Sequence, residues 1–532
     1  MKRALLSSVF LICAVPALLL VSGAAAQARP VVYCADSSPE GFDPGMWDSQ
    51  GTNTIGKQMF QGLLAFKRGS TALEPVLAES YEIAPDAKSI TFHLRRGVKF
   101  QTTAYFKPTR DFNADDVVFT FTRFIDPTTR FNKAFPANFV YPNNLGLTKL
   151  LDGIDKLDEH TVRFRLKLAN VPFVANFAMA WSVIQSAEYA DQLLARGRAA
   201  DINNYPVGTG PYQFRSYAKD DVLRMDPNPG YWRTVQKGKL IFSFAREPNV
   251  RVQKLLANEC QIAAALRDVD VGTLAKRSKD VVVDKIQALN ISYLAFNLRK
   301  PPTDKRLVRT ALDIAVDRNA IFKALFPRGD ATQAVSAFPP AIPGYDTSLK
   351  NEYDPERAKK LLAEAGFPNG FEIDLWALPV ARPTNPNGQL MAQLIQQDWA
   401  RIGVTAHIKT YEWGEYLKRA NRGEHSVYMS GWSGETGDAD EFLTPNLSCA
   451  ANKTSGIKFC NKEFEALIDE ARATPNAARR IELYEKAQKI FKFERPWITM
   501  AHSTVYIAMR HDVHGFVMAP NGSVDFENVY RD

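Results

Sequence analysis

The chain has 532 residues, 45% hydrophobic and 23% charged. It is too long for one ordinary core and too apolar for disorder, so two or more packed lobes are expected. Its 66 basic and 58 acidic residues leave a formal charge of +8 without a Lys/Arg block or a basic helix, which speaks against nucleic-acid binding.

Residues 1–30 open with Lys2 and Arg3, run apolar from Ala4 to Val21 across Pro16, and end in the small-residue patch Gly23-Ala24-Ala25-Ala26. This is the pattern of a secretory signal peptide, with cleavage expected after Ala26 or Ala28, and the proline makes a membrane span the poorer reading. Cys13 lies inside the apolar run and no cysteine follows at the cleavage patch, so no lipid attachment is expected. Without Lys2 and Arg3 the balance is 64 basic against 58 acidic residues. The mature protein is expected to be soluble outside the cytoplasm, because no other segment reaches ~18 uncharged apolar residues. Four cysteines then remain, Cys34, Cys260, Cys449 and Cys460, an even number in an oxidising compartment. Of three connectivities, Cys449–Cys460 closes a short local loop and leaves Cys34–Cys260. A metal site is the alternative, but it lacks C-x2-C spacing and a nearby histidine.

Alternation of apolar and polar residues predicts strands over residues 90–100 and 160–168. Between them, Asn113 followed by Asp115 and Asp116 predicts a capped helix over 113–124. Gly208-Thr209-Gly210-Pro211 reads as a turn before a strand. Residues 289–318 pass from strand through a proline break into a helix, and a crossing between lobes is placed there. Asp354, Pro355 and Gly366 supply the cap, first position and stop of a helix over 355–365. A strand (370–378), a helix (389–403) and a strand (404–411) follow, which makes a mixed α/β lobe. Alternation resumes from Thr504, and this last segment is expected to return to the first lobe. No internal repeat or low-complexity segment is visible.

Enzymatic motifs are missing. Gly431-Trp432-Ser433-Gly434-Glu435 lacks the final glycine of a nucleophile elbow, and there is no H-E-x-x-H, Walker loop or G-x-G-x-x-G. His511 and His514 read as surface histidines, and Asp115-Asp116 as helix caps rather than an acid–base pair. No catalysis, metal or cofactor is therefore expected. One stretch stands out. Residues 431–442, GWSGETGDADEF, hold four carboxylates and three glycines behind Trp432. At that density some of the acids must be solvated, paired with a cation, or committed to a ligand.

The segments VVYCADSSPEGFDP, FKPTRDFNADDVVFTF, PVGTGPYQF, ANECQ and TYEWGEYLKRANRGEH occur in this order. Together they resemble the periplasmic peptide-binding family of bacterial ABC importers, in particular its dipeptide binders, from about Val31 to Tyr530. The resemblance implies a two-lobed α/β fold with an extra subdomain in the first lobe. Residues 29–288 would form lobe I, 289–504 lobe II, and 505–532 a return to lobe I. It implies capture of a dipeptide or short peptide by hinged closure and delivery to a membrane ABC permease, with no nucleic-acid partner and a monomeric state. Within LPVARPTNPN it implies that Arg382 holds the peptide carboxylate, with Thr384 beside it. After Gly-Trp-x-Gly it implies an aspartate for the α-ammonium; this chain has Glu435 there, which carries the right charge on a longer side chain and takes the role, with Asp438 or Asp440 as the alternative. Trp432 would cover a ligand side chain, while Gly431 and Gly434 leave backbone groups accessible. Internal roles compete: an ion pair for Arg382, core packing for Trp432. The glutamate also keeps open a family member tuned to haem, glutathione or antimicrobial peptides. From another class, the alternative is an extracytoplasmic peptidase or chaperone.

Overall fold

The computed structural model describes residues 29–47, 49–276 and 279–532, so the signal-peptide reading lies outside the described residues. Two lobes share one long strand, Trp497–Arg510. Its first part pairs with Asn290–Phe296, and that strand in turn pairs antiparallel with Val427–Ser433. Phe371–Trp376 and Val404–Lys409 extend this second-lobe sheet in parallel. The later part of the long strand, from Thr504, pairs with Val281–Gln287 and then Ile262–Ala263. Beyond lie Val31–Ala35, Leu240–Phe244, Val222–Pro227 and Tyr212–Ala218, the first-lobe sheet. Each sheet buries its own apolar cluster, one within residues 289–501 and one drawing on both termini of the described chain. At the crossing, Ser503 and Asn290 exchange two hydrogen bonds, Ser503 N to Asn290 Oδ1 at 2.9 Å and Asn290 Nδ2 to Ser503 Oγ at 2.7 Å.

The extra subdomain is a four-stranded antiparallel sheet in the order Ala78–Ile83, Ser89–Leu94, Thr161–Leu166, Leu151–Asp158. The helix Ala114–Ile125 packs on it through Val117, Phe121 and Phe124. Asn113 starts that helix as expected: its side chain accepts from Asp115 N at 3.0 Å, and Asp116 reaches back to Asn113 N at 3.0 Å. Asp116 also takes Arg110 in a two-pronged pair at 2.7 and 2.8 Å, so it is committed to structure rather than to acid–base work. Near its end the same helix sends Arg123 into the core, where it donates to Asp43 Oδ2 at 2.7 Å with both side chains buried. Phe124 packs edge-on against Phe139 at 5.0 Å, and Tyr141 stacks on Trp181 at 5.7 Å. These contacts carry the short helix Val140–Leu145 to the edge of the cleft.

Two expected strands end or begin elsewhere. The strand foreseen over 90–100 stops at Leu94, because Arg95 N and Nε turn to Leu77 O and Val76 O and Gly97 takes φ +73°. Val98 and Phe100 stay buried, so the continued alternation reports burial without a ladder. The closing strand starts at Trp497, seven residues before Thr504. Its first seven residues are buried throughout and therefore show no alternation. The helix Pro355–Glu364 has its Asp354 cap, and Gly366 at φ +92° stops it.

Cys34 and Cys260 are joined, with Cα atoms 5.9 Å apart, as are Cys449 and Cys460 at 4.4 Å. Replacing Cys449 and Cys460 with serine is expected to cost about 3 kcal/mol through loop entropy. The displacement of the urea unfolding midpoint measures it. Among the described residues no His, Cys, Asp and Glu cluster could hold a metal, and no helix is long and apolar enough to cross a membrane.

Candidate functional site

The strand Val427–Ser433 runs out into the acidic stretch, which turns into the helix Asp440–Leu447. Three of its four carboxylates are engaged within the second lobe. Glu441 binds the turn itself: Oε1 accepts from Glu435 N at 2.8 Å, and Oε2 from Thr436 N at 2.9 Å and Thr436 Oγ1 at 2.8 Å. Burial, with the charge of Glu435 adding to it, pushes the Glu441 carboxyl up to about 7 against these donors. Asp438 accepts from Arg480 Nη2 at 2.5 Å and from the Tyr484 hydroxyl at 2.9 Å. Asp440 accepts from Arg472 through Nε and Nη2, both at 3.2 Å. Both aspartates are thus paired with half-buried arginines, which explains how so much negative charge is tolerated in so short a segment.

Glu435 behaves differently. Its Oε2 receives the Tyr141 hydroxyl at 3.2 Å, across 294 residues of sequence and from the other lobe. Asn521 Nδ2, also outside the second-lobe sheet, donates to the Glu435 carbonyl at 2.9 Å. The side chain therefore stands where the lobes meet.

Gly434 does not expose its backbone as expected. It is buried, its N–H donates to Leu289 O at 2.6 Å, and a Cβ there would overlap the Phe442 ring. The glycine is needed for close packing. Gly431 is exposed and sits opposite Ser292 in the ladder, and Trp432 sits opposite Ile291. Ser292 Oγ donates to Thr384 O at 2.8 Å, which brings the 382–385 turn next to Gly431. In that turn Arg382 and Asn385 exchange backbone hydrogen bonds at 3.0 and 2.9 Å. Thr384 is buried; Arg382 is exposed, with its guanidinium 5.3 Å from the centre of the Trp413 ring. Among the described residues Arg382 makes no ion pair, and its guanidinium donates to Ala381 O at 3.3 Å.

A cavity of about 670 Å³ lies between the lobes, within the usual range for a small-molecule site. Trp432, Thr436 and all four acids, Glu435, Asp438, Asp440 and Glu441, line it from the second lobe, and Tyr141 and Asn176 from the first. Trp432 presents a buried indole N–H without a hydrogen-bond partner among the described residues, a donor that a ligand or water can satisfy. Arg382, Thr384, Gly431 and Gly434 lie outside this lining. Tyr141 and Asn521 were not legible as site residues, because each meets Glu435 only through tertiary contact.

A two-lobed fold with a ligand-sized cavity between the lobes is the architecture of a solute-binding protein. The family model described as bacterial extracellular solute-binding proteins, family 5 Middle, matches residues 72–454, and the chain belongs to this family of binding proteins, which are not enzymes. It is 43% identical over 534 residues to di/tripeptide-binding protein 1 of Pseudomonas aeruginosa (strain UCBPP-PA14), covering 99% of each chain. Among solved structures it is similar to HbpA2 from Haemophilus parasuis, with a TM-score of 0.91 and 36% identity over 95% of this chain and 100% of that one. It is also similar to the dipeptide binding protein from Pseudoalteromonas sp. SM9913 in complex with Met-Leu, with a TM-score of 0.75 and 36% identity over 95% and 100% of the two chains.

Proposed function

We propose that the protein captures dipeptides or similarly short peptides between its lobes outside the cytoplasm and hands them to an ABC permease. The observation that carries this reading is the division of labour in the acidic stretch. Asp438, Asp440 and Glu441 are spent on their own lobe, whereas Glu435 is turned to the opposite one, where closure would bring it against a ligand ammonium. Glu435 is accordingly the proposed amine partner, in preference to Asp438 or Asp440. The similarity to proteins that bind di- and tripeptides supports the ligand class. The chain is proposed to act as a periplasmic monomer after removal of its first 26 or 28 residues. The lobes are taken as 29–288 with 505–532, and 289–504. The hinge is placed at Ala288–Leu289 and Ser503–Thr504, where few residues need to change φ and ψ.

Titration calorimetry with free dipeptides, followed by mass spectrometry of the recovered peptides, tests the function: tight binding and intact peptides are expected. Cleaved peptides would establish a peptidase, and absence of binding to any member of the panel would end the reading. Arg382 is the proposed carboxylate partner, its planar fork suited to a two-pronged pair. Arg382→Ala is expected to weaken dipeptides by roughly tenfold or more, about 1.4 kcal/mol per decade, with Arg382→Lys falling between. Unchanged affinity in a folded Arg382→Ala variant would remove Arg382 from the site.

A further inference from the structure

Lys57 lies on the first-lobe helix Gln50–Met59 and lines, together with Glu435, Asn53, Asn521 and Ser523, a cavity of about 40 Å³ between the lobes. Its ammonium donates to Ser523 Oγ at 2.7 Å and stands 5.5 Å from the centre of the Phe66 ring. Two of its three N–H groups are thus left for other partners among the described residues. The carboxylates whose charge attracts it are Asp525 and Glu435, and Asp525 also lies 4.0 Å from Arg68. Burial lowers the Lys57 ammonium to about 8 in spite of that attraction.

This placement has a consequence for what can bind. A ligand that brings only an ammonium to Glu435 meets a second cation, Lys57, across the same small cavity, a like-charge arrangement that lowers affinity. A ligand end that carries an ammonium and a carboxylate on the same residue satisfies both groups at once, its ammonium on Glu435 and its carboxylate on Lys57. The cavity is about 40 Å³ against the ~10–15 Å³ that one water needs, so small polar groups fit between Lys57 and Glu435. We propose that Lys57 is a specificity-determining residue that selects peptides whose first residue is aspartate or glutamate. The proposal rests on the reading of Glu435 as amine partner.

The test is calorimetry at neutral pH with Glu-Leu, Gln-Leu and N-acetyl-Gln-Leu on the wild type and on Lys57→Met and Lys57→Arg. Glu-Leu is expected to bind the wild type about tenfold or more tightly than Gln-Leu. Lys57→Met should bring the two within about twofold, with Gln-Leu unchanged or tighter, and Lys57→Arg should keep the preference. Equal affinities of Glu-Leu and Gln-Leu for the wild type, while acetylation still abolishes binding, overturn the role of Lys57 and leave Glu435 in place. A preference that survives Lys57→Met overturns it as well. If N-acetyl-Gln-Leu binds as tightly as Gln-Leu, the amine reading of Glu435 fails, and the proposal fails with it.

Discussion

A dipeptide whose amine is acetylated is expected to bind about a hundredfold or more weakly than its free form. Acetylation removes the ligand's positive charge and leaves Glu435 enclosed between the lobes facing a neutral amide. Breaking one side of a buried charge pair costs about 3–5 kcal/mol, and each 1.4 kcal/mol is a decade of affinity. Glu435→Gln should produce a loss of the same order for free dipeptides and make the variant nearly indifferent to acetylation, because the carboxylate that tells an ammonium from an amide is then gone. Glu435→Asp keeps the charge but retracts it by one methylene and so lengthens its reach to the Tyr141 hydroxyl, now at 3.2 Å. It is expected to change which peptides fit rather than to abolish binding. Calorimetry on the three variants with paired free and acetylated ligands reads all of this. If acetylated and free dipeptides bind equally and Glu435→Gln changes nothing, the ligand is not held by an ammonium here, and a non-peptide solute becomes the better reading.

The second large effect is on stability. Asp43→Ala is expected to destabilise the protein by about 3–5 kcal/mol, seen as a lower urea midpoint, because Arg123 would be left buried without its carboxylate. Arg123 is closed in by the Phe131, Phe139 and Phe119 rings at 4.8, 5.2 and 5.6 Å, so it cannot move to solvent without unpacking them. Replacing both partners, with Arg123→Met filling the space, should recover much of the loss. The same aromatic group holds the segment that carries Tyr141. Asp43→Ala is therefore also expected to weaken ligand binding although Asp43 does not line the cavity between the lobes. An unchanged midpoint in Asp43→Ala would show that buried Arg123 does not depend on this carboxylate.

Local chemistry was legible wherever it depends on neighbours in sequence. The Asn113 cap with Asp115 and Asp116, the Asp354-Pro355 start with its Gly366 stop, and the alternation of residues 160–168 all act within a few residues, and the structure realises each of them. The Cys449–Cys460 pairing belongs with them, because a short loop favours closure. Burial was legible in residues 95–100, but secondary structure was not: alternation records which side chains are inside, while the departure from the ladder depends on where Arg95 finds acceptors.

What the four acids of residues 431–442 do was decided by the tertiary structure alone. In the sequence Glu435, Asp438, Asp440 and Glu441 are equivalent carboxylates in one segment. Folding gives Asp438 to Arg480 and Asp440 to Arg472, and spends Glu441 on the amides of the turn. It turns Glu435 toward Tyr141 and Lys57 of the opposite lobe. The sequence by itself determined that charge of this density needs partners, since unpaired carboxylates repel and cannot be buried. Which carboxylate reaches across to the other lobe depends on arginines more than thirty residues away and on a tyrosine 294 residues away. Such pairings follow from the packing of helices and lobes, to which no periodicity or spacing in a single chain gives access.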